Sequence, residues 1–358
     1  MLRKFGFLLL ILAINPGGWT GVRAQRRCMI ARNVVQNARR IFLLRNAQNQ
    51  WSLKRTDSSA VGEVLRLYCN ATTITPSTCQ PNGAFRPPIA TACPRPPFPS
   101  AIPIVDRRCR GTAYQVGHRL FGAMHELYRS CYDRRQMRVM YVDHRVFGKS
   151  FIPQRPCVAW SADGVITPGQ ERAFLRGNIY ATFQNLFGVR NRYISNNQVT
   201  VINRGHLAAA GDFFFGDQMC GTFKYVNAVP QFASINDGNW EAIERWIRSR
   251  LPVNSFYNVR TGAVGVLRLA DERSNPPRMR DVFLGNRRFP VPLWMYKSIR
   301  NAQNQPLGVF LTLNNIYARA MPAPPAFCRR VNCPLQLNNV VSRGFTMCCN
   351  PATFNPPH

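Results

Sequence analysis

Lysine, acidic residues and histidine are all scarce in this chain. Its 358 residues hold 47 Lys and Arg against 16 Asp and Glu, with five histidines. Only Lys4, Lys54, Lys149, Lys224 and Lys297 are lysine, so arginine carries the positive charge, and its planar fork suits phosphate oxygens. No apolar run is long enough to span a bilayer. There is no Cys-x2-Cys pair, and no cysteine pair has a His-x3-His nearby, which argues against a zinc site. The expected strands and helices follow no βαβ rhythm, which argues for an α+β class over a doubly wound sheet. No long amphipathic basic helix is visible, which counts against a cationic antimicrobial protein.

What is present points to the secretory route. The chain begins MLRKFGFLLLILAINPGGWTGVRAQ, with Arg3 and Lys4, an apolar stretch from Phe5 to Ile14, and small residues around Val22-Arg23-Ala24. This reads as a signal peptide over residues 1–24, with Gln25 as the mature start. The 12 cysteines are an even number and allow up to six disulfides, with the pairing open. Asn70-Ala71-Thr72 is a glycosylation acceptor in a secreted chain. The formal charge is +31, and loss of Arg3, Lys4 and Arg23 with the leader leaves +28. Such a field attracts polyanions, whether nucleic acid, heparan-type sugar or anionic membrane.

The chain divides by composition. Residues 25–110 form a cysteine- and proline-rich N-terminal region, ending in a proline-dense stretch (Arg86 to Pro103) that reads as a loop or linker. Residues 111–321 are a main domain of mixed pattern, and residues 322–358 a cysteine-rich tail expected to wrap irregularly. Leu120, Met124, Leu127 and Cys131 recur at helical spacing. Helices are also expected over Gly169–Phe187, opened by Thr167-Pro168, and over Asn236–Arg250. Strands are expected at Val139–Val146, Gln198–Ile202, Val264–Leu269, Pro292–Ile299 and Gly308–Leu313. The hexapeptide RNAQNQ occurs at Arg45–Gln50 and Arg300–Gln305 with different flanks, so it does not signal a domain repeat.

Three segments carry chemistry. "VINRGHLAAAGDF" sets Arg204, Gly205 and His206 together where a β-branched run ends. "VNAVPQ" follows at 226–231. "NDGNWEAIERWIR" at 236–248 then spaces Asn236, Trp240, Glu244 and Arg248 four apart, one drifting stripe on a helix. Alone, that stripe also fits a solvated helix with a Glu244–Arg248 ion pair. Together, Asn203-Arg204-Gly205-His206, Asn227-x-x-Pro230-Gln231 and Asn236-x-Gly238-x-Trp240-x-x-x-Glu244 resemble the signature of the sugar-nonspecific DNA/RNA endonucleases. These are the ββα-metal nucleases of the Serratia nuclease and endonuclease G type, with a secreted arthropod branch. A weaker likeness runs from about Gly111 to Asn315, through "TGAVGVLRL", "VPLWMYKSI" and "GVFLTLNN".

The resemblance implies a ββα-metal core with a mixed or antiparallel sheet and disulfide-stapled extensions. It implies a secreted endonuclease that hydrolyses DNA and RNA with little sequence preference, leaving 5′-phosphate and 3′-hydroxyl ends. His206 would be the general base and Asn236 the one direct protein ligand of Mg²⁺, with Mn²⁺ as the alternative. Glu244 would hold the metal's waters, Arg204 and Arg248 would clamp phosphate, and Asn227 would bond phosphate or orient the site. Trp240 and Pro230 read as packing. Two departures stand out: Asn203 replaces the usual Asp, and Ala209 replaces the usual Pro. Nearby Asp212 reads first as a turn cap and second as a compensating group. The family's further upstream phosphate-binding arginine has no identifiable counterpart. The other histidines read as structural or surface residues. The competing readings are a catalytically weak nuclease fold that binds extracellular polyanions, and a cationic heparin-binding protein.

Overall fold

The computed structural model describes residues 27–252 and 255–358. The expected signal peptide over 1–24 and the mature start at Gln25 lie outside the described residues. The frame is one nine-stranded antiparallel sheet. From edge to edge its strands are Arg330–Val331, Thr346–Cys349, Pro306–Leu313, Trp294–Arg300, Phe256–Val264, Arg138–Phe147, Ala123–Asp133, Thr112–Leu120 and Ser100–Ile104. A separate five-stranded sheet, drawn from Ile41–Arg45 through Phe85–Arg86, forms the N-terminal region. Among the described residues the longest helices are Arg176–Phe187 and Glu241–Ser249, so the class is α+β.

Alternation gives the large sheet two unlike faces. On one, Val146, Val259, Ile299 and Phe310 pack against Ile243 and Ile247 of the second helix, all of them buried. Each such aliphatic side chain stabilises the fold by about 1.5–3 kcal/mol. The opposite face, from the same strands, presents Asp143, Arg145 and Arg260, none of them buried. Towards one edge it is covered by the tail, where Tyr296 packs on Phe354 and joins the cluster of Val309, Leu311 and Met347.

All 12 cysteines pair: Cys28–Cys79, Cys69–Cys93, Cys109–Cys131, Cys157–Cys220, Cys328–Cys349 and Cys333–Cys348. The tail is more than a wrap, because Thr346–Cys349 hydrogen-bonds to Pro306–Leu313 inside the sheet. The proline-dense stretch likewise ends in a strand, Ser100–Ile104. It lies at the sheet edge, the place where Pro103 need not donate to a second neighbour. Sheet pairing therefore extends past residues 111–321 at both ends.

The helix suggested by Leu120, Met124, Leu127 and Cys131 is instead a β-hairpin, Thr112–Leu120 with Ala123–Asp133. Phe121 (φ 52°) and Gly122 (φ 76°) make its turn, in the left-handed region that two-residue hairpin loops require. A bulge between Glu126 and Tyr128 then breaks the alternation, so that Leu127 and Tyr128 are both buried. The two RNAQNQ copies share one local structure. Each closes a hairpin, with Asn46 or Asn301 Oδ1 accepting from the N–H of Gln50 or Gln305, and Asn49 or Asn304 at positive φ. Asx chemistry sets the loop in two unrelated sheets.

Candidate active site

The first motif is itself a strand. Ile202–His206 pairs antiparallel with Ala228–Phe232, setting His206 opposite Ala228 and Asn203 opposite Gln231. The strand expected at Gln198–Ile202 begins at its last residue. The paired strands run directly into a helical segment that starts at Ala233, kinks at Gly238 and resumes through Glu241–Ser249, so two strands and a kinked helix follow in order. Gly205 is required where it stands: a Cβ there would lie 2.2 Å from Gln231 Oε1 and 2.6 Å from Gln231 Cβ. Gln231 is fully buried, and neither polar atom of its carboxamide has a bonding partner.

Arg204 and His206 share one face of their strand. The His206 ring sits 4.7 Å from both Trp160 and Phe223, and its Nε2 is buried without a partner. Burial, with the charges of Arg155 and Lys297, pushes the imidazole down to about 3, so the ring is neutral at physiological pH. Arg204 Nε donates to Tyr225 Oη at 3.1 Å, and its guanidinium lies 5.3 Å from the Phe174 ring centroid. Arg155, whose charge acts on His206, is exposed.

Asn227 is fully buried. Its Oδ1 accepts from Ala208 N at 2.8 Å, and its Nδ2 donates to Ala208 O and Thr222 O at 2.9 Å each. With its polar groups committed to backbone, it fixes the chain just after His206. Asn314 does the same for the hairpin's other end, accepting from Phe232 N and donating to Pro230 O and Pro292 O.

Lys297, on a central strand, gathers the site. It is fully buried, donates from Nζ to Leu207 O (3.1 Å) and Thr261 Oγ1 (3.3 Å), and reaches Glu244 Oε1 at 3.4 Å. The same ammonium lies 4.6 Å from the Trp240 ring centroid. Burial and the charge of Asp212 raise the Glu244 carboxyl, against the pull of Lys297 and Arg248. Arg248 is 3.9 Å from Glu244 but makes its closer ion pair, 3.0 Å, with Asp212. Asp212 is buried and also meets His144 Nε2 at 2.9 Å. It is not a turn cap: its carboxylate is committed to Arg248 and His144, and it ends a 3-10 turn whose N-terminal residue has no side-chain cap. Burial works against its ionisation, yet His144 and Arg248 hold it below the usual carboxylate range. The stripe Trp240, Glu244, Arg248 therefore faces inward, not solvent.

Asn236 is half-buried, in a helical turn that a kink at Gly238 (φ −103°, ψ −122°) separates from the helix carrying Glu244. Its Nδ2 donates to Asp237 Oδ1 at 2.8 Å. Among the described residues no hydrogen bond or ion pair joins Asn236 to the Glu244–Lys297 cluster, and no group of three His, Cys, Asp or Glu could hold a metal. A single amide oxygen with water completing the shell suits Mg²⁺, which sheds water reluctantly. The turn is held by the tail: Asn239 Nδ2 donates to Asn338 O and Gly344 O, and a Cβ on Gly238 would lie 2.7 Å from Arg343 O. Asn203 is half-buried on the strand face opposite Arg204 and His206, and Pro230 and Trp240 are buried. Asn70 is exposed, its Oδ1 accepting from the Thr72 hydroxyl at 2.9 Å. His118 pairs with Asp217 at 2.7 Å, a contact across 99 residues, and His358 meets Tyr296 Oη.

The chain is 27% identical to a salivary endonuclease of Lutzomyia longipalpis over 252 residues, which cover 68% of this chain and 60% of that one. It is 25% identical to a salivary endonuclease of Culex quinquefasciatus over 346 residues, covering 90% and 86%. A solved chain of the EndoG/EndoGI complex aligns at 21% identity with a TM-score of 0.38, over 56% of this chain and 76% of that one. A family model described as DNA/RNA non-specific endonuclease matches residues 110–354. The chain belongs to the DNA/RNA non-specific endonuclease family.

Proposed function

We propose that this protein is a secreted, Mg²⁺-dependent endonuclease that hydrolyses phosphodiester bonds of DNA and RNA with little sequence preference. The observation that carries the reading is His206: a neutral imidazole with an unbonded Nε2, beside two arginines, at the end of a hairpin feeding the Asn236–Glu244 helix. A neutral imidazole can take the proton of an attacking water. Arg204 and Arg155 are placed to bind phosphate oxygens, and contacts to phosphate carry no base information. Arg248, ion-paired with Asp212, would be a more deeply set guanidinium for clamping phosphate. Lys297 and Asn227 position the His206–Ala208 segment through backbone bonds. Asn236 Oδ1 would hold the metal, and Glu244 its waters. A bound Mg²⁺ would stabilise charge on the phosphate and the departing oxygen. Asn203 tunes this site and is not essential to it, because it lies on the far face of the strand.

Secretion accords with the leader-like N-terminus, six disulfides and salivary relatives, and Asn70 would carry glycan. The charge of +28 left after loss of the leader would recruit substrate most strongly at low salt. The test is Mg²⁺ binding to wild type and to Asn236→Ala, read by calorimetry beside plasmid cleavage. Loss of both metal binding and cleavage in the variant is the expected result. Undiminished cleavage by Asn236→Ala would overturn the metal assignment.

A further inference from the structure

The sheet face that points away from His206 forms a second basic groove of about 1530 Å³. Alternation separates it from the catalytic face: His144, Thr261 and Lys297 point to the site, and their strand neighbours Arg145, Arg260 and Ser298 line the groove. Registered pairs set one polar row across five strands, Gln115–Arg129–Asp143–Arg260–Ser298, and a second row, Arg145–Asn258–Arg300. Trp51 and Arg55 of the N-terminal sheet, and Phe354 to His358 of the tail, wall it.

Seven lining arginines face two lining carboxylates, Glu126 and Asp143, each already paired, with Arg129 (2.6 Å) and Arg260 (2.7 Å). Exposed Arg110 and Arg145 have no carboxylate within ion-pair distance among the described residues. Aromatic rings fix several guanidinium heads: Arg260 lies 4.1 Å from the Tyr141 centroid, Arg145 4.7 Å from Phe256. The volume exceeds the ~300–1,000 Å³ of small-molecule sites and suits a segment of polymer.

We propose that this groove is an exosite for single-stranded nucleic acid, gripping the phosphate backbone of a strand whose other part lies at His206. The inference rests on the proposed nuclease reading. A sheet separates the two sites, so the polymer must turn around it. A flexible single strand can do so at little cost, whereas duplex DNA, with a persistence length of ~150 bp, must be bent sharply at a cost of several kcal/mol. Holding the strand at one site raises its effective concentration at the other.

The test takes Arg110→Ala/Arg145→Ala beside a charge-matched control outside the groove, Arg39→Ala/Arg330→Ala. Binding of a fluorescent strand of roughly 40 nucleotides is measured in a His206→Ala background with Mg²⁺ between 50 and 200 mM salt. The groove variant is expected to bind about tenfold more weakly, and its salt slope to fall by ~1.4, or ~0.7 per lost phosphate contact. The control should bind unchanged. With His206 restored, the groove variant should cleave a hexanucleotide at the wild-type rate but show a raised KM on the long strand. Equal binding and equal salt slope would overturn the exosite. So would a loss seen with heparin but not with nucleic acid, which would make the groove a sulfated-sugar site. If wild type cleaves neither substrate, the nuclease reading fails, and the binding arm still decides the groove. Hydroxyl-radical footprinting of the His206→Ala protein gives a readout that needs no groove variant: strand-dependent protection of Trp51 and Phe147, both partly exposed in the groove, is expected, and its absence counts against the exosite.

Discussion

Replacing Lys297 by methionine isolates the group that ties the sheet to the hairpin and the helix. Methionine keeps the stem's bulk beside Trp240, so packing changes little and the perturbation is electrostatic. Leu207 O loses a charged donor at 3.1 Å, worth about 1.5–3 kcal/mol. Glu244, largely but not fully buried and 3.4 Å from the lost ammonium, keeps only Arg248 at 3.9 Å, and breaking a buried pair costs at most about 3–5 kcal/mol. These overlap, so a total near 3–5 kcal/mol is expected, or a fall in Tm of roughly 4–7 °C for a chain of this size. The double variant Lys297→Met/Glu244→Gln removes the stranded charge. It should therefore be less destabilised than the sum of the single variants by about 0.5–3 kcal/mol. Thermal melts of all four proteins, with disulfides intact, complete the cycle. A cost below about 1 kcal/mol for Lys297→Met, or strict additivity, would refute the claim that Lys297 neutralises Glu244 and pins Leu207.

Three further outcomes follow from the site. Gly205→Ala puts a Cβ 2.6 Å from Gln231 Cβ, so a loss of about 1–3 kcal/mol is expected in denaturant melts, and unchanged stability would contradict the close approach. Asp212→Asn strips the carboxylate from Arg248 and His144 and should cost about 3 kcal/mol; a melt within 1 °C of wild type would sink its role as their shared partner. In the proposed role His206 would take a proton only when neutral, so activity would be lost as pH falls through its pKa. With that pKa down at about 3 in the free protein, the acid limb of kcat/KM should fall well below 6, and a limb near the ordinary 6.5 would refute the enclosed state of the ring.

The site was legible where its chemistry is local in sequence. Motifs at 203–206, 227–231 and 236–244 translate into strand, paired strand and helix, and Gly205 and Gly238 are explained by close approaches to Gln231 and Arg343. What the motifs left out arrives through long-range sheet pairing. Lys297 stands 53 residues beyond Glu244, and nothing near it in the chain marks it apart from the rarity of lysine. Asp212 looked like a local cap because His144, 68 residues earlier, could not be seen beside it. Asn227 was expected to bond phosphate or to orient the site; its three backbone hydrogen bonds leave the orienting task. The helix suggested near Leu127 failed because a bulge imitates helical spacing. The tail's place in the sheet was hidden because four-residue strands flanked by disulfides carry almost no periodicity.

The most direct test is a time course of supercoiled plasmid and RNA with the secreted protein, in Mg²⁺ and in EDTA, beside His206→Ala. Nicking followed by degradation of both substrates only with metal, and silence of the variant, is the predicted result. Plasmid bound but intact with wild type across metals and pH, or cleavage retained by His206→Ala, would contradict the account.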